Sequence, residues 1–140
     1  MRKLVADASA ILAVLLDEPA AAEVRSASQN CELIAPGSLP WEIGNALVLG
    51  LREERLTLEM ATAALREYES IPIRQTAIDR AEALAVAEAE GIYAYDAYML
   101  TCAHHHSTPL LTLDLQLRSV ARRRELTLRP SRIEGDERYE

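Results

Sequence analysis

Leu4-Val5-Ala6-Asp7-Ala8-Ser9-Ala10-Ile11-Leu12 is a run of apolar and small residues interrupted by one acid. Residues 3–6 read as a short buried strand, and residues 8–16 as a helix that Pro19 brings to an end. A strand that hands over to a helix across one aspartate opens an α/β chain. It also raises the question of what the aspartate is for. Acids are rarely buried without a partner, and no basic residue lies within three positions of Asp7.

The same alternation runs outward from this stretch. Helices are expected over 20–29, 39–55, 58–70, 78–90, 94–105 and 115–125, and strands over 32–35, 71–74, 109–113 and 126–129. Pro36-Gly37 closes the second strand, Pro40 suits the first turn of the 39–55 helix, and Gly91 marks a helix C-terminus. Short apolar runs separated by helices predict an α/β fold: a parallel sheet of four or five strands flanked by helices on both faces. One domain is expected over 1–130, followed by a polar, loose tail over 131–140. The 39–55 helix is apolar all round up to Leu51 except for Glu42 and Asn45, which predicts burial in a core or at a subunit interface.

A chain of 140 residues can bury roughly 70% of its unfolded surface in a single core. With no Phe and one Trp, that core must be built from Ala, Leu, Val and Ile. The net charge of -7 argues against general, charge-driven nucleic-acid binding. Arg118, Arg122, Arg123 and Arg124 cluster on the last helix; a solvated face is the simpler expectation for them, and an RNA-contacting patch the alternative. Arg2 and Lys3 before an apolar stretch mimic a signal peptide, but Asp7 interrupts that stretch and Asp17-Glu18 closes it, so a cytoplasmic protein is expected. No apolar run approaches the ~20 residues of a membrane helix. Cys31 and Cys102 fit no redox or metal spacing and are expected as free thiols.

Three further acids share the setting of Asp7. They are Glu42 in Leu39-Pro40-Trp41-Glu42-Ile43-Gly44-Asn45, Asp96 in Tyr95-Asp96-Ala97-Tyr98-Met99-Leu100, and Asp114 in Leu110-Leu111-Thr112-Leu113-Asp114-Leu115. Taken singly, each aspartate is more often a helix cap, and Glu42 a first-turn acid that favours the dipole. Capping and ligation predict overlapping places, however, because ligands of parallel sheets bind outside the carboxyl ends of the strands. Asp96 shares a helical face with Met99, Leu100 and Ala103, and Glu42 shares one with Asn45, Ala46 and Leu49, where a mere surface acid does not belong. Carboxylates that converge repel, and burial raises the pKa of each; a divalent cation removes the conflict. Oxygen donors without His or Cys suit Mg²⁺ or Mn²⁺. Such sites can hold two metals about 4 Å apart and cut phosphodiesters with activated water.

These motifs resemble, in order and spacing, the PIN-domain ribonucleases of the VapC toxin type. The resemblance runs from Met1 to about Arg129. It is carried by Val5-Ala6-Asp7-Ala8-Ser9, Pro40-Trp41-Glu42-Ile43-Gly44-Asn45-Ala46, Tyr95-Asp96-Ala97 and Leu111-Thr112-Leu113-Asp114. It implies a PIN-like sheet and metal-dependent cleavage of RNA by Asp7, Glu42, Asp96 and Asp114. Ser9, Asn45 and Thr112 would hydrogen-bond and orient the acids. It further implies a homodimer, and a cognate antitoxin protein that blocks the site. Many members carry another Asp or Asn two residues after the last acid; here that place is Gln116, so the resemblance supplies four acids and not five.

Competing readings are weaker. His104, His105 and His106 point about 100° apart on a helix and cannot converge on one ion, and Cys102 with His106 lacks two further zinc ligands. No glycine spacing matches a dinucleotide or phosphate loop. The single Lys3 argues against a phospho-receiver domain, and Ser9 against an Asp-x-Asp phosphatase. Tyr93, Tyr95 and Tyr98 are expected to pack in the core and at its rim in preference to stacking on bases. The function alternatives are a PIN fold that grips RNA or a partner without cutting, and a phosphodiesterase directed at DNA or nucleotides.

Overall fold

The computed structural model describes residues 1–136. In chain order they form β1 (Arg2–Ala6), α1 (Ala8–Leu15), α2 (Ala21–Ser28), β2 (Cys31–Pro36), α3 (Leu39–Arg52), α4 (Leu58–Ser70), β3 (Ile73–Thr76), α5 (Arg80–Glu90), α6 (Ala94–His105), β4 (Leu110–Leu111), α7 (Leu115–Arg123) and β5 (Leu128–Arg129). The five strands make one parallel sheet in the order β3-β2-β1-β4-β5. This is the α/β architecture expected. In the central strand Leu4, Val5 and Ala6 are all buried, and so are Ile34 and Ala35 of β2 and both residues of β4. Consecutive buried residues mean that both faces of the sheet are covered. Helices α1 to α4 pack among themselves, while α5 packs on α6 and α6 lies across β1, β2 and β4. Right-handed crossovers put the first group on one face and α5, α6 and α7 on the other.

The strand order matters for function. From β1 the chain moves to β2 and β3 on one side, then returns to place β4 against the other side of β1. The β1–β4 boundary is therefore the topological switch point, where two connections leave in opposite directions and open a crevice at the carboxyl edge. Asp7 follows β1 directly, and Asp114 follows β4 after two linking residues.

Several boundaries differ from expectation, each for a local reason. β3 starts at Ile73 because Ile71 ends α4 and Pro72 has no N–H for a ladder. β4 spans Leu110–Leu111; the Thr112 N–H still reaches the Arg129 carbonyl (3.1 Å), and pairing stops there because the Leu113 N–H donates to Ser9 Oγ (3.0 Å) and the Asp114 N–H to Thr112 Oγ1 (3.1 Å). Helix α3 is not buried all round. Leu39, Ile43, Leu47 and Gly50 face the core, while Trp41, Val48 and Leu49 are exposed.

The Arg cluster and the tail also depart from expectation. Arg118 is 0% exposed and bonds Asp136 through Nε (2.7 Å) and Nη2 (2.8 Å), so it belongs neither to a solvated face nor to an RNA-contacting patch. Arg122 pairs with the same carboxylate, and Arg123 and Arg124 with Glu90. Residues 131–136 are thereby tied to the body instead of hanging loose; residues 137–140 of the expected tail lie outside the described residues. Cys31 and Cys102 are free, as expected. Among the described residues no helix is long and apolar enough to cross a membrane.

Candidate metal centre

Asp7 stands at the N-terminus of α1 but makes no side-chain cap bond there. Its Oδ2 instead accepts two hydroxyl protons, from Ser9 Oγ (2.8 Å) and Thr112 Oγ1 (2.8 Å). Each hydroxyl has one proton to give, so the 3.1 Å contact between Ser9 and Thr112 follows from their sharing an acceptor. The two hydroxyls also accept the Leu113 and Asp114 amides. A cross-strand network thus fixes Asp7 against the turn after β4.

Asp114 caps α7, accepting the Leu117 N–H on Oδ1 at 2.9 Å. It is a cap and faces the other acids at the same time. Glu42 in the first turn of α3 accepts from Ser38 Oγ at 2.8 Å. Asp96 lies half-buried in the first turn of α6. Of the residues expected to hydrogen-bond the acids, Ser9 and Thr112 both bond Asp7. Asn45 is exposed and forms no bond to Glu42 among the described residues; Ser38 holds that place. Ser38 could have been found: it precedes a helix opened by Pro40 and stands four residues before Glu42, on the same side of the first turn.

The acids form one repelling cluster. Burial raises the pKa of Asp7, which is 5% exposed, and the Asp114 charge adds to it against the opposing pull of Ser9, Thr112 and the Ala8 amide. Burial pushes Glu42 up to about 7; Ser38 opposes this, and the charges of Asp7 and Asp96 add to it. Burial, then Asp114 and Asp7, push Asp96 up to about 6. No basic side chain offsets any of the three among the described residues. Tyr68 of α4 was not anticipated; it lies within reach of the Glu42 charge, which together with burial raises its own pKa.

The donor set fits a hard divalent cation: several carboxylate oxygens, no nearby cation and a standing repulsion. Among the described residues no three acids, His or Cys are gathered as a ready-made cage. Mg²⁺ does not require one, because it is held by one or two carboxylates and keeps several waters.

Exposed aromatic rings flank the acids. Trp41, 69% exposed, precedes Glu42, and Tyr93 (85%) and Tyr95 (47%) precede Asp96. Tyr93 and Tyr95 are therefore not core residues; Tyr95 stacks edge-to-face on the half-buried Tyr98, with ring centroids 6.1 Å apart.

Comparison with known proteins shows the family and the fold. The chain is 32% identical over 120 residues to Ribonuclease VapC3 of Pyrobaculum aerophilum, covering 82% of this chain and 92% of that one. The fold matches the crystal structure of PAE2754 from Pyrobaculum aerophilum with a TM-score of 0.65 and 23% identity, over 85% of this chain and 86% of the other. It also matches VapBC2 from Rickettsia felis, a structure bound to a DNA fragment from their promoter, with a TM-score of 0.60 and 12% identity over 90% and 96% of the two chains. The PIN domain family model aligns with residues 4–123, a span that holds all four acids and both hydroxyls bound to Asp7, and the chain belongs to the PIN domain family.

Proposed function

We propose that this protein is a Mg²⁺- or Mn²⁺-dependent endoribonuclease, the toxin of a type II toxin–antitoxin pair. The observation that carries the reading is the cluster of four acids at the switch point, three with raised pKa and none offset by a basic side chain. A polar cluster that destabilises its own fold is the mark of a site held for function. Kinship with a ribonuclease supports RNA as the substrate. The exposed rings of Trp41, Tyr93 and Tyr95 support it too, since aromatic faces grip unpaired bases with little regard to sequence.

Asp7, Glu42, Asp96 and Asp114 would hold the cation. When bound, it supplies charge neutralisation at a phosphodiester and acidification of water. Ser9 and Thr112 keep Asp7 aimed, and Ser38 does the same for Glu42. Without the cation Glu42 has a pKa of about 7, so cation binding near neutrality would be coupled to release of its proton. Hydrolysis adds water across the phosphodiester and leaves a phosphomonoester and a free hydroxyl. The homodimer, the antitoxin partner and a cytoplasmic location rest on the VapC resemblance; the exposed apolar residues Val48 and Leu49 of α3 support a covered interface.

Asp7→Asn tests the reading. Asparagine keeps the size of the side chain and an oxygen for Ser9 and Thr112, and it removes a buried charge. Cleavage of RNA in Mg²⁺ should fall at least about 100-fold, with an unchanged or higher Tm. Calorimetry should show Mn²⁺ binding to the natural protein and weakened binding to the variant. Undiminished cleavage by Asp7→Asn, or no Mn²⁺ binding at millimolar concentration, would exclude the mechanism.

A further inference from the structure

The pair formed by Arg118 and Asp136 is remote in sequence from the acids, yet it holds part of the frame on which they sit. Arg118 is completely buried on α7 and spends its guanidinium on three partners. Nε and Nη2 meet Asp136, Nη2 also reaches the Pro130 carbonyl (2.8 Å), and Nη1 donates to the Thr112 carbonyl (2.9 Å). Asp136 is fixed in turn by Arg122 and by the Ile133 N–H. Buried charges are kept only when such partners surround them.

The Thr112 carbonyl and the Leu113 N–H belong to one peptide unit, which is rigid and planar. Its oxygen is gripped by Arg118, and its N–H is donated to Ser9 Oγ. The direction of one end dictates the direction of the other. Ser9 then donates to Asp7 Oδ2, and Thr112 donates to the same oxygen. Four hydrogen bonds and one rigid plane therefore connect Asp136 to Asp7.

We propose that Arg118 and Asp136 are positioning residues for the acid site: the segment over 131–136 clamps the 112–113 peptide plane, and that plane sets the Ser9 hydroxyl on Asp7. The consequence for catalysis rests on the metal-dependent nuclease reading; the mechanical link does not. A role in stability alone would leave the acids with unaltered geometry in any variant that folds. The clamp predicts instead that weakening Asp136 loosens Ser9 and Asp7 specifically.

The test compares the natural protein, Asp136→Asn, Ser9→Ala and the double variant. Four quantities are read: kcat and KM on single-stranded RNA in Mg²⁺, the Kd for Mn²⁺ by calorimetry, and the rate of hydrogen exchange at the Leu113 amide. Asp136→Asn should lower kcat about tenfold, weaken Mn²⁺, leave KM within about twofold and accelerate Leu113 exchange more than that of α4 amides. Added to Ser9→Ala it should cost no further kcat or Mn²⁺ affinity, because the plane then has no hydroxyl to steer. If Asp136→Asn does not fold, Arg118→Met with Asp136→Leu replaces the pair by apolar groups, and the same results are expected. Additive effects of Asp136 and Ser9, or exchange that rises uniformly across the molecule, would overturn the clamp. If the natural protein neither cuts RNA nor binds Mn²⁺, the nuclease reading falls, and Leu113 exchange still decides the mechanical link.

Discussion

Both hydroxyl donors to Asp7 converge on Oδ2, so neither consumes Oδ1. A carboxylate oriented through one oxygen keeps the other available for a ligand, which is how neighbours commonly orient metal-binding groups. Glu42 follows the same logic with one donor: Ser38 takes Oε2. Ser38 lowers the pKa of Glu42 against the larger upward push of burial. Removing the hydroxyl must therefore raise that pKa further. If cleavage needs ionised Glu42, Ser38→Ala will move the acid limb of the pH–rate profile to higher pH, while Asn45→Ala will leave it in place. A profile that shifts with Asn45 and ignores Ser38 would restore the role that the resemblance implies for Asn45. Ser9 and Thr112 were named through the family resemblance, and each lies two residues from an acid it serves or flanks. Asn45 does not bond Glu42 because the resemblance gives a nearby polar partner, and helical spacing a shared face, but neither says which side of that face meets the acid. Asp136 was invisible, since nothing local to an acid in a polar stretch announces a buried arginine 18 positions earlier.

At the scale of elements, most helices were legible because their ends carry chemistry. Gly91 takes a left-handed conformation (φ 67°) and ends α5 as expected, the one place in that segment where glycine's freedom is needed. The start of the same helix was set two residues early. Asp79 is its true N-cap, accepting from the Ala81 and Glu82 amides at 3.0 and 3.1 Å. Asp79→Ala leaves those two donors to water and should cost about 1 kcal/mol, a Tm loss of roughly 3–5 °C. Cleavage at 25 °C should not change, because Asp79 touches none of the clustered acids; a lost activity would tie α5 to the site in a way its contacts do not suggest. The short strands were less legible. The run 109–113 predicts five strand residues and β4 forms two ladder residues, since Ser9 and Thr112 draw the Leu113 and Asp114 amides away from the sheet. Hydrophobic pattern alone does not reveal where a site takes over backbone groups that a strand would otherwise pair.

At the scale of the molecule, the sheet order brings Asp7 and Asp114 to one crevice and the helix starts bring Glu42 and Asp96 to it, so a chain of net charge -7 concentrates repulsion in one place. That concentration sets the pH dependence of stability. Asp7, Glu42 and Asp96 all have raised pKa in the folded state, the last two up to about 7 and about 6. Between the ordinary carboxylate range and those values the folded state binds more protons than the unfolded chain, so stability falls as pH rises through that window. Asp136 acts in the opposite sense. Its carboxyl is held well below the usual range by Arg118, Arg122 and the Ile133 amide against its burial, so its contribution is present above its unfolded pKa and is lost on acidification. The two effects bracket an optimum: the metal-free protein should be most stable near about pH 5 and lose Tm toward about pH 7.5. A divalent cation should reverse the loss, because binding releases the protons and removes the repulsion. Mn²⁺ at about 100 times its Kd should add about 2.7 kcal/mol at pH 7.5, and its effect should shrink toward pH 5 as protons compete for the same oxygens. Thermal unfolding in EDTA and in Mn²⁺ at both pH values decides the matter: a metal-free Tm that climbs from pH 5 to 7.5 would mean that the four acids do not confront one another as the fold places them.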